Sequence, residues 1–244
     1  MAHESIRPLK RPVPLRERVY ARLEELIIYG TLAPGQHLVE ADIAGRLGVS
    51  RIPVREALQL LHRDGWVELR PRQGAFVHQP TRREVEDVFS VRTLLEVEST
   101  RLAARHASPE SVATLRGLLQ AGIKALARGD ERELVTLNSE FHGEITSISG
   151  NQVLASLIAR LDKRIRWYFA PVVRLRGADS WREHAEIVDA ITARDEDAAA
   201  QAMRRHAELT KAAYREERQR REPLEPAAQN DAAGRLEPAD DVRS

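Results

Sequence analysis

The first third of the chain carries three segments in which apolar residues recur every three or four positions, the spacing of one helical face. This pattern predicts helices over about residues 15–29, 40–47 and 51–64. Each segment is followed by a glycine, a residue that favours helix ends and tight turns: Gly30, Gly48 and Gly65. Beyond these helices, apolar residues at 66–69 and 75–77 flank a Pro-Arg-Gln-Gly sequence, which predicts a short β-hairpin. The pattern therefore predicts a helix, a helix-turn-helix pair and a two-stranded wing.

The third predicted helix has an apolar stripe and a polar stripe on opposite sides. The apolar stripe is Val54, Ala57, Leu58 and Leu61, and the polar stripe is Arg51, Arg55, Gln59 and His62. Ser50 can cap this helix, and Pro53 lies in the first turn, where a missing N–H costs little. Guanidinium groups near the N-terminal end of such a helix suit base edges in the DNA major groove, so sequence-specific DNA binding is the leading interpretation. A solvated helix surface is the alternative, because the same residue types are typical of both.

From residue 81 onward strand signals disappear, and helical patterns separated by short polar turns take over. The predicted helices cover about residues 81–106, 109–128, 131–147, 152–175, 179–193 and 196–219. We therefore predict a mainly α fold, with an N-terminal winged helix-turn-helix followed by an all-helical bundle. The expected parts are a flexible N-terminal arm (1–14), the winged helix-turn-helix (15–78), the helical domain (79–222) and a disordered acidic tail (223–244).

Composition limits the classes of protein to which the chain can belong. No apolar run approaches the roughly 18 residues that span a bilayer, and the N-terminus lacks a signal-peptide core, so we expect a cytoplasmic protein without membrane contact. The absence of cysteine excludes disulfides, thiolate metal sites and cysteine nucleophiles. Residues 1–80 hold 12 Lys and Arg against 9 Asp and Glu, a charge of +3, whereas the remainder holds 26 against 28, a charge of −2. The positive excess lies on the part expected to meet DNA.

Three of the eight histidines fall on apolar stripes of different predicted helices. They are His142, His184 and His206, and Asn138 precedes His142 by one helical turn. Neutral imidazole nitrogens from three helices suit a divalent metal ion such as Zn²⁺ or Ni²⁺, with the Asn138 oxygen and water or an effector oxygen in the remaining positions. The alternative for each histidine is a buried residue that is satisfied by its neighbours.

Three arginines of the helical part are candidates for binding an effector. Arg92 stands among apolar neighbours on its helix, either as an internal ion pair with Glu96 one turn away or as a bidentate clamp for an effector carboxylate. Arg164 and Arg166, near Trp167, are candidates to line the same cavity. Their run, LDKRIRWYF, is also typical of a basic surface face.

Residues 15–78 resemble the winged-helix domain of the GntR family. The resemblance rests on the turn Gly30-Thr31-Leu32-Ala33-Pro34-Gly35, on the run LGVSR-x-PVREAL and on a wing glycine. It implies that Arg51 and Arg55 contact guanines and nearby phosphates, and that Gly74 enters the minor groove. The expected DNA-binding residues are Ser50, Arg51, Ile52, Pro53, Arg55, Gln73 and Gly74. Ile52 stands where many members of the family have threonine, so one polar contact is expected to be lost.

The helical part resembles the FCD ligand-binding domain of FadR-type GntR regulators. The matching residues are Asn138-Ser139-Glu140-Phe141-His142, Glu183-His184-Ala185-Glu186-Ile187 and His206. The resemblance implies a divalent metal at Asn138, His142, His184 and His206, and a small organic acid that completes its coordination. Asn138 replaces the commoner aspartate, which removes an anionic ligand and should weaken the ion. The family also has an arginine at the position of Arg92, which favours the carboxylate clamp.

Together these features predict a homodimeric transcription factor, with repression the expected direction, that binds an inverted-repeat DNA operator and responds to a small organic or sugar acid. The competing class is a metal-dependent hydrolase that uses the three histidines, with Glu140, Glu144 or Glu186 as its acid or base. The sequence has no HExxH motif or nucleophile elbow, and a hydrolase leaves the winged helix unexplained. A non-specific nucleic-acid packaging protein requires a stronger positive charge than +3.

Overall fold

Nine helices and three short strands make up residues 13–221, the part of the chain that the computed structural model describes. The N-terminal elements are α1 (Leu15–Ile28), β1 (His37–Leu38), α2 (Glu40–Leu47), α3 (Arg51–Arg63), β2 (Val67–Arg70) and β3 (Gly74–Val77). The C-terminal elements are α4 (Arg82–His106), α5 (Pro109–Arg128), α6 (Glu131–Ile148), α7 (Gln152–Phe169), α8 (Val173–Thr192) and α9 (Glu196–Arg221). The predicted mainly α fold is confirmed. The predicted tail, 223–244, and residues 1–12 of the predicted arm lie outside the described residues.

The N-terminal elements enclose a hydrophobic core between three helices and a small antiparallel sheet. α1 and α2 both pack against α3, and the sheet has the strand order β1-β3-β2. Leu23, Ile27 and Leu61 are buried in this core. The β2–β3 hairpin is the predicted wing, and its turn uses left-handed backbone at Arg72, with φ of 63°, and at Gly74, with φ of 101°.

The first strand, β1, is absent from the sequence prediction. It consists of His37 and Leu38, which pair with Phe76 and Ala75 of the wing. Two residues are too few to show the alternation by which a strand is recognised. The pairing nevertheless brings His37 onto the wing, beside the residues expected to meet DNA.

Polar side chains at the N-terminal ends of four helices, α4 to α7, fix where these helices begin. Thr81 and Glu84 form a reciprocal capping box at α4, and Ser108 caps α5. The Asp130 side chain accepts a hydrogen bond from the first turn of α6, and Asn151 does the same for α7. The start of each of these helices was therefore readable from the sequence.

The prediction of one helix over residues 152–175 is wrong. α7 ends at Phe169, a short turn follows, and α8 begins at Val173, earlier than the predicted start at 179. Pro171 explains the break, because proline supplies no backbone N–H and its ring clashes with the preceding helical turn. Because the two helices are separate, the axis of α7 can differ in direction from the axis of α8.

Helix α7 belongs to both halves of the molecule. Its middle packs against α4 and α6, and its C-terminal end carries Trp167 and Tyr168 into the hydrophobic core of the N-terminal part. The ring centroids of Trp66 and Trp167 are 5.3 Å apart. Among residues 13–221, no helix is long and apolar enough to cross a membrane.

Candidate DNA interface and metal centre

The exposed face of α3 carries most of the side chains expected to meet DNA. Arg51, Arg55 and Gln59 are exposed, and Ile52 is 69% exposed, which is unusual for a large aliphatic side chain. The prediction that Pro53 contacts DNA needs correction, because Pro53 is buried and its ring cannot reach DNA. The predicted DNA contact at this position is therefore unsupported.

The predicted capping bond of Ser50 is wrong. Ser50 occupies the N-cap position of α3, but its side chain accepts no hydrogen bond from the helix. Pro53 accounts for this, because it occupies the third helical position, whose N–H a serine cap normally binds. The exposed Ser50 hydroxyl therefore remains available to a phosphate.

Arg55 is held by a carboxylate that sequence reasoning missed. Its Nε donates to Glu40 Oε1 at 2.9 Å, and its Nη2 donates to Glu40 Oε2 at 2.8 Å, so the contact is bidentate. The hydrogen bond from Arg55 lowers the pKa of Glu40. Glu40 is the first residue of α2, fifteen positions before Arg55, and no periodicity in the sequence connects the two.

A groove of about 470 Å³ separates the wing from α3. Polar side chains from both walls line it: His37, Glu40, Arg55, Gln59, Arg70 and Arg72. The His37 ring stacks on the Phe76 ring, with 4.7 Å between the ring centroids. The Arg70 guanidinium lies 4.3 Å from the centroid of the same Phe76 ring. Sequence reasoning named Gln73 and Gly74, both exposed, for the wing but missed His37, Arg70 and Arg72. The cluster of basic residues around the wing turn was the sequence signal from which these residues could have been predicted.

The three predicted histidines converge in the helical part. One ring nitrogen from each of His142, His184 and His206 lies within 4.8 Å of the others, and all three residues are buried. The ring centroids are 5.3 Å apart for His142 and His184, and 4.7 Å apart for His184 and His206. This spacing fits nitrogen donors around one ion.

Carboxylates lie beside Nδ1 of two of these imidazoles, and the contact of His206 is a hydrogen bond, whereas that of His142 is a close approach only. Glu183 Oε2 lies 2.8 Å from Nδ1 of His206, and Glu96 Oε1 lies 3.1 Å from Nδ1 of His142. A carboxylate at Nδ1 fixes the tautomer of a ligating histidine and leaves Nε2 for a metal. Neither ring nitrogen of His184 has a partner within residues 13–221.

Burial shifts the pKa of two of these imidazoles, those of His184 and His206. Burial lowers the pKa of His206 to about 4 and lowers that of His184 well below its ordinary value. Although burial raises the pKa of Glu96, Arg92 and His142 hold it down to about 2. Neutral imidazoles are the form that binds a metal, so His184 and His206 do not have to lose a proton before an ion binds.

Arg92 forms the ion pair that was one of its two interpretations. Its Nε donates to Glu96 Oε1 at 2.9 Å, and the two side chains are 1% and 2% exposed. Its Nη2 donates to His142 Nε2 at 3.3 Å. Its Nη1 finds no partner anywhere in the described part of the chain. The ion pair and a clamp for a ligand are therefore compatible.

A cavity of about 350 Å³ opens beside this cluster, between α4, α6 and α7. Its lining includes Arg92, Glu96, Asn138, Ser139, His142, Thr146, Ile158, Asp162 and Ile165. Asn138 is buried, and its Oδ1 has no hydrogen-bond partner among the residues described. His142 and Arg92 both line the cavity and so connect it to the histidine cluster.

Arg164 does not line this cavity, contrary to the sequence prediction. Its Nη2 donates to the backbone oxygen of Asp64, at the end of α3, at 2.8 Å. Its guanidinium lies 4.1 Å from the ring centroid of Trp66 and 5.4 Å from that of Trp167. On α7 it faces the N-terminal part, whereas Asp162, two residues earlier, lines the cavity. Arg164 therefore connects the two halves of the molecule.

Comparison with known proteins finds a matching family for each of the two parts of the chain. The family described as "Bacterial regulatory proteins, gntR family" matches residues 15–77, and the FCD domain matches residues 87–209. The HTH-type regulator YdhC of Bacillus subtilis is 30% identical over 81% of this chain and 90% of its own. The HTH-type transcriptional repressor RspR of Escherichia coli is 28% identical over 84% of this chain and 91% of its own.

Solved structures share the fold. A GntR regulator from Rhodococcus sp. RHA1 superposes with a TM-score of 0.70 and 26% identity, covering 82% of this chain and 97% of that one. E. coli McbR/YncC superposes with a TM-score of 0.69 and 23% identity, covering 85% of this chain and 100% of that one, a likeness of fold alone.

The winged helix and the helical ligand-binding domain define a DNA-binding transcription regulator that responds to a small molecule. The chain belongs to the GntR family of bacterial regulators, in the group whose members carry an FCD domain. This membership sets the hydrolase alternative aside, because the relatives are regulators and not enzymes.

Proposed function

We propose that the chain is a homodimeric repressor whose helical domain binds a small carboxylate at a divalent metal and thereby changes its affinity for an inverted-repeat operator. The observation that carries this proposal is that three buried imidazoles converge, and that one of them, His142, lines a cavity together with Arg92. One of the relatives, RspR of Escherichia coli, is a transcriptional repressor.

The donor set fits Zn²⁺ or Ni²⁺. His142, His184 and His206 supply nitrogens, and the unpartnered Oδ1 of Asn138 supplies a neutral oxygen. A metal held here would supply positive charge for an effector carboxylate. With His142 Nε2 as a ligand, Arg92 Nη2 would lose its acceptor, and both Arg92 Nη1 and Nη2 would be available to that carboxylate.

On the DNA side, Arg51 and Arg55 are the proposed readers of bases, with Ser50 and the wing turn at Gln73 and Gly74 on the backbone and minor groove. Their exposure on the first turns of α3 supports this assignment. Ile52 offers only an apolar contact, as to a thymine methyl group. A mutant Arg51→Ala should bind operator and scrambled DNA with similar affinity, and retained preference would contradict the assignment.

The proposed dimer contact is an apolar surface shared by α4 and α7, which pack against each other. Four large aliphatic side chains are exposed on it: Val91, Leu94, Val153 and Leu157. Exposed aliphatic side chains on neighbouring helices are typical of protein interfaces, and a second copy that buries them would pair two winged helices on a two-fold operator. A monomer in sedimentation equilibrium at micromolar concentration would contradict this.

The metal half of the proposal is tested by His142→Ala, with His106→Ala as the control for loss of an imidazole outside the cavity. After chelation and reloading, elemental analysis should find less metal in His142→Ala and the parental amount in His106→Ala. Thermal-shift screening of organic acids should then find stabilising ligands only for metal-loaded protein that retains His142. By reciprocity, such a ligand must change operator affinity by the factor by which operator changes its own. Unchanged metal content in His142→Ala removes that residue from the site.

A further inference from the structure

The cavity beside the histidines contains buried polar atoms that find no partner in the described part of the chain. Arg92 Nη1 is a hydrogen-bond donor, and Glu96 Oε2 and Asn138 Oδ1 are acceptors. All three belong to residues that line the same cavity. Because buried polar atoms are nearly always hydrogen-bonded, this set describes the chemistry of a complementary ligand.

From this set we infer that the effector carries a hydroxyl or ammonium donor close to its carboxylate. The inference rests on the proposed function, because it takes the cavity as the effector site. Arg92 Nη1 and the metal position call for a carboxylate. Glu96 Oε2 calls for a donor, since its other oxygen already accepts from Arg92 Nε at 2.9 Å.

Two simpler classes of acid fit this cavity poorly. A fatty acid brings only methylene groups to Glu96 Oε2, so it removes water from a buried charged oxygen and gives no hydrogen bond in return. A dicarboxylate brings a second negative charge into a cavity that Glu96 and Asp162 already border. A 2-hydroxy or 2-amino acid avoids both penalties.

The opposite wall adds further acceptors for hydroxyl groups. Asp162 lines the cavity, accepts a hydrogen bond from Ser139 and pairs with Arg166 at 3.2 Å, so its charge is partly balanced and its carboxylate can accept further hydrogen bonds. A ligand with a second hydroxyl further along its carbon chain meets polar atoms here as well. The inferred class therefore extends to short polyhydroxy acids.

A four-carbon series tests the inference with chain length held constant. Binding of butyrate, 2-hydroxybutyrate, 2-aminobutyrate, 2,3,4-trihydroxybutyrate and succinate to metal-loaded protein would be measured by isothermal titration calorimetry. We expect a hydroxylated or amino acid to bind at least about tenfold more tightly than butyrate or succinate, the effect of one satisfied buried acceptor. The relative Kd of the hydroxy and amino acids identifies which donor the site prefers.

Glu96→Gln locates the origin of any preference, because its amide can still accept from Arg92 but presents N–H groups in place of the second oxygen. The ratio of butyrate Kd to 2-hydroxybutyrate Kd should fall to within about threefold of one in Glu96→Gln. Glu98→Gln, a change on the same helix at a residue paired with Arg101, should keep the parental ratio. A ratio that survives in Glu96→Gln would mean that the hydroxyl binds the metal and would overturn the role of Glu96.

The outcomes separate the two proposals. Equal affinity for butyrate, succinate and 2-hydroxybutyrate overturns the inferred ligand class and leaves the carboxylate site intact. If none of the five acids binds at about 10 mM, above the range of even weak specific ligands, the cavity is not a site for small carboxylates and the proposed function fails with it. The wild-type series needs no variant, so poor folding of Glu96→Gln would leave the ligand class tested.

Discussion

Arg164 joins the two halves of the molecule, and its replacement by alanine gives a direct measure of that connection. The side chain donates a charged hydrogen bond to Asp64 O at 2.8 Å and packs against the rings of both Trp66 and Trp167. A hydrogen bond from a charged group contributes about 1.5–3 kcal/mol, and a cation–π contact at a partly exposed site adds about 0.5–1 kcal/mol. Arg164→Ala should therefore weaken the contact by about 2–4 kcal/mol.

The loss of this contact should change both the midpoint and the cooperativity of thermal unfolding. For a chain of this size, about 2–4 °C per kcal/mol predicts a fall of roughly 5–15 °C in the melting of the N-terminal part. Differential scanning calorimetry should show that part melting separately from the helical domain, which retains its own core. The effector should still bind, whereas its influence on operator affinity should decrease.

Arg160→Ala is the matched control. Arg160 lies on α7 one turn before Arg164 and is exposed, so its removal takes the same charge from the same helix without touching the N-terminal part. If Arg160→Ala and Arg164→Ala melt within about 1 °C of each other, the guanidinium does not hold the halves together and the reasoning is refuted.

Two further substitutions test other contacts. Glu40→Gln should lower the ratio of operator affinity to scrambled-DNA affinity about tenfold, because Arg55 loses the carboxylate that orients it, while affinity for scrambled DNA increases. Glu56→Gln removes the same charge from α3 and should raise both affinities alike; equal ratios in gel-shift titrations of the two variants would contradict the role of Glu40. Gly122→Ala should destabilise the helical domain by about 1–3 kcal/mol in urea unfolding, because the new Cβ would lie 2.2 Å from the Trp181 ring. Gly117→Ala, on the same helix with nothing within 4 Å, should instead stabilise it slightly, and an equal gain in both variants would show that the close contact relaxes freely.

Apolar periodicity and capping residues predicted the helices and the wing because both depend on neighbours in sequence. β1 escaped prediction because its two residues are ordered by a partner strand far along the chain. The break between α7 and α8 was available in Pro171, whose effect on a helix is local. The convergence of His142, His184 and His206 followed from apolar stripes that share one core.

Side-chain partners were less accessible to prediction. The bond between Arg55 and Glu40 depends on the angle at which α2 meets α3, which no sequence pattern encodes. Arg164 was assigned to the cavity from its position near Trp167, but α7 contacts different neighbours on two sides. The family resemblance supplied the expectation of a metal at these histidines, and the geometry supplied the carboxylates beside His142 and His206.

The position of Trp167 and Tyr168 matters for anyone who exchanges domains between regulators of this kind. A chimera cut after the wing would leave Trp66 and the neighbouring core without the two aromatic rings that cover them. The N-terminal part of such a fusion would expose an apolar surface and become prone to aggregation. A working graft would need to carry the C-terminal turns of α7 together with the DNA-binding part, although about ninety residues separate them in the chain.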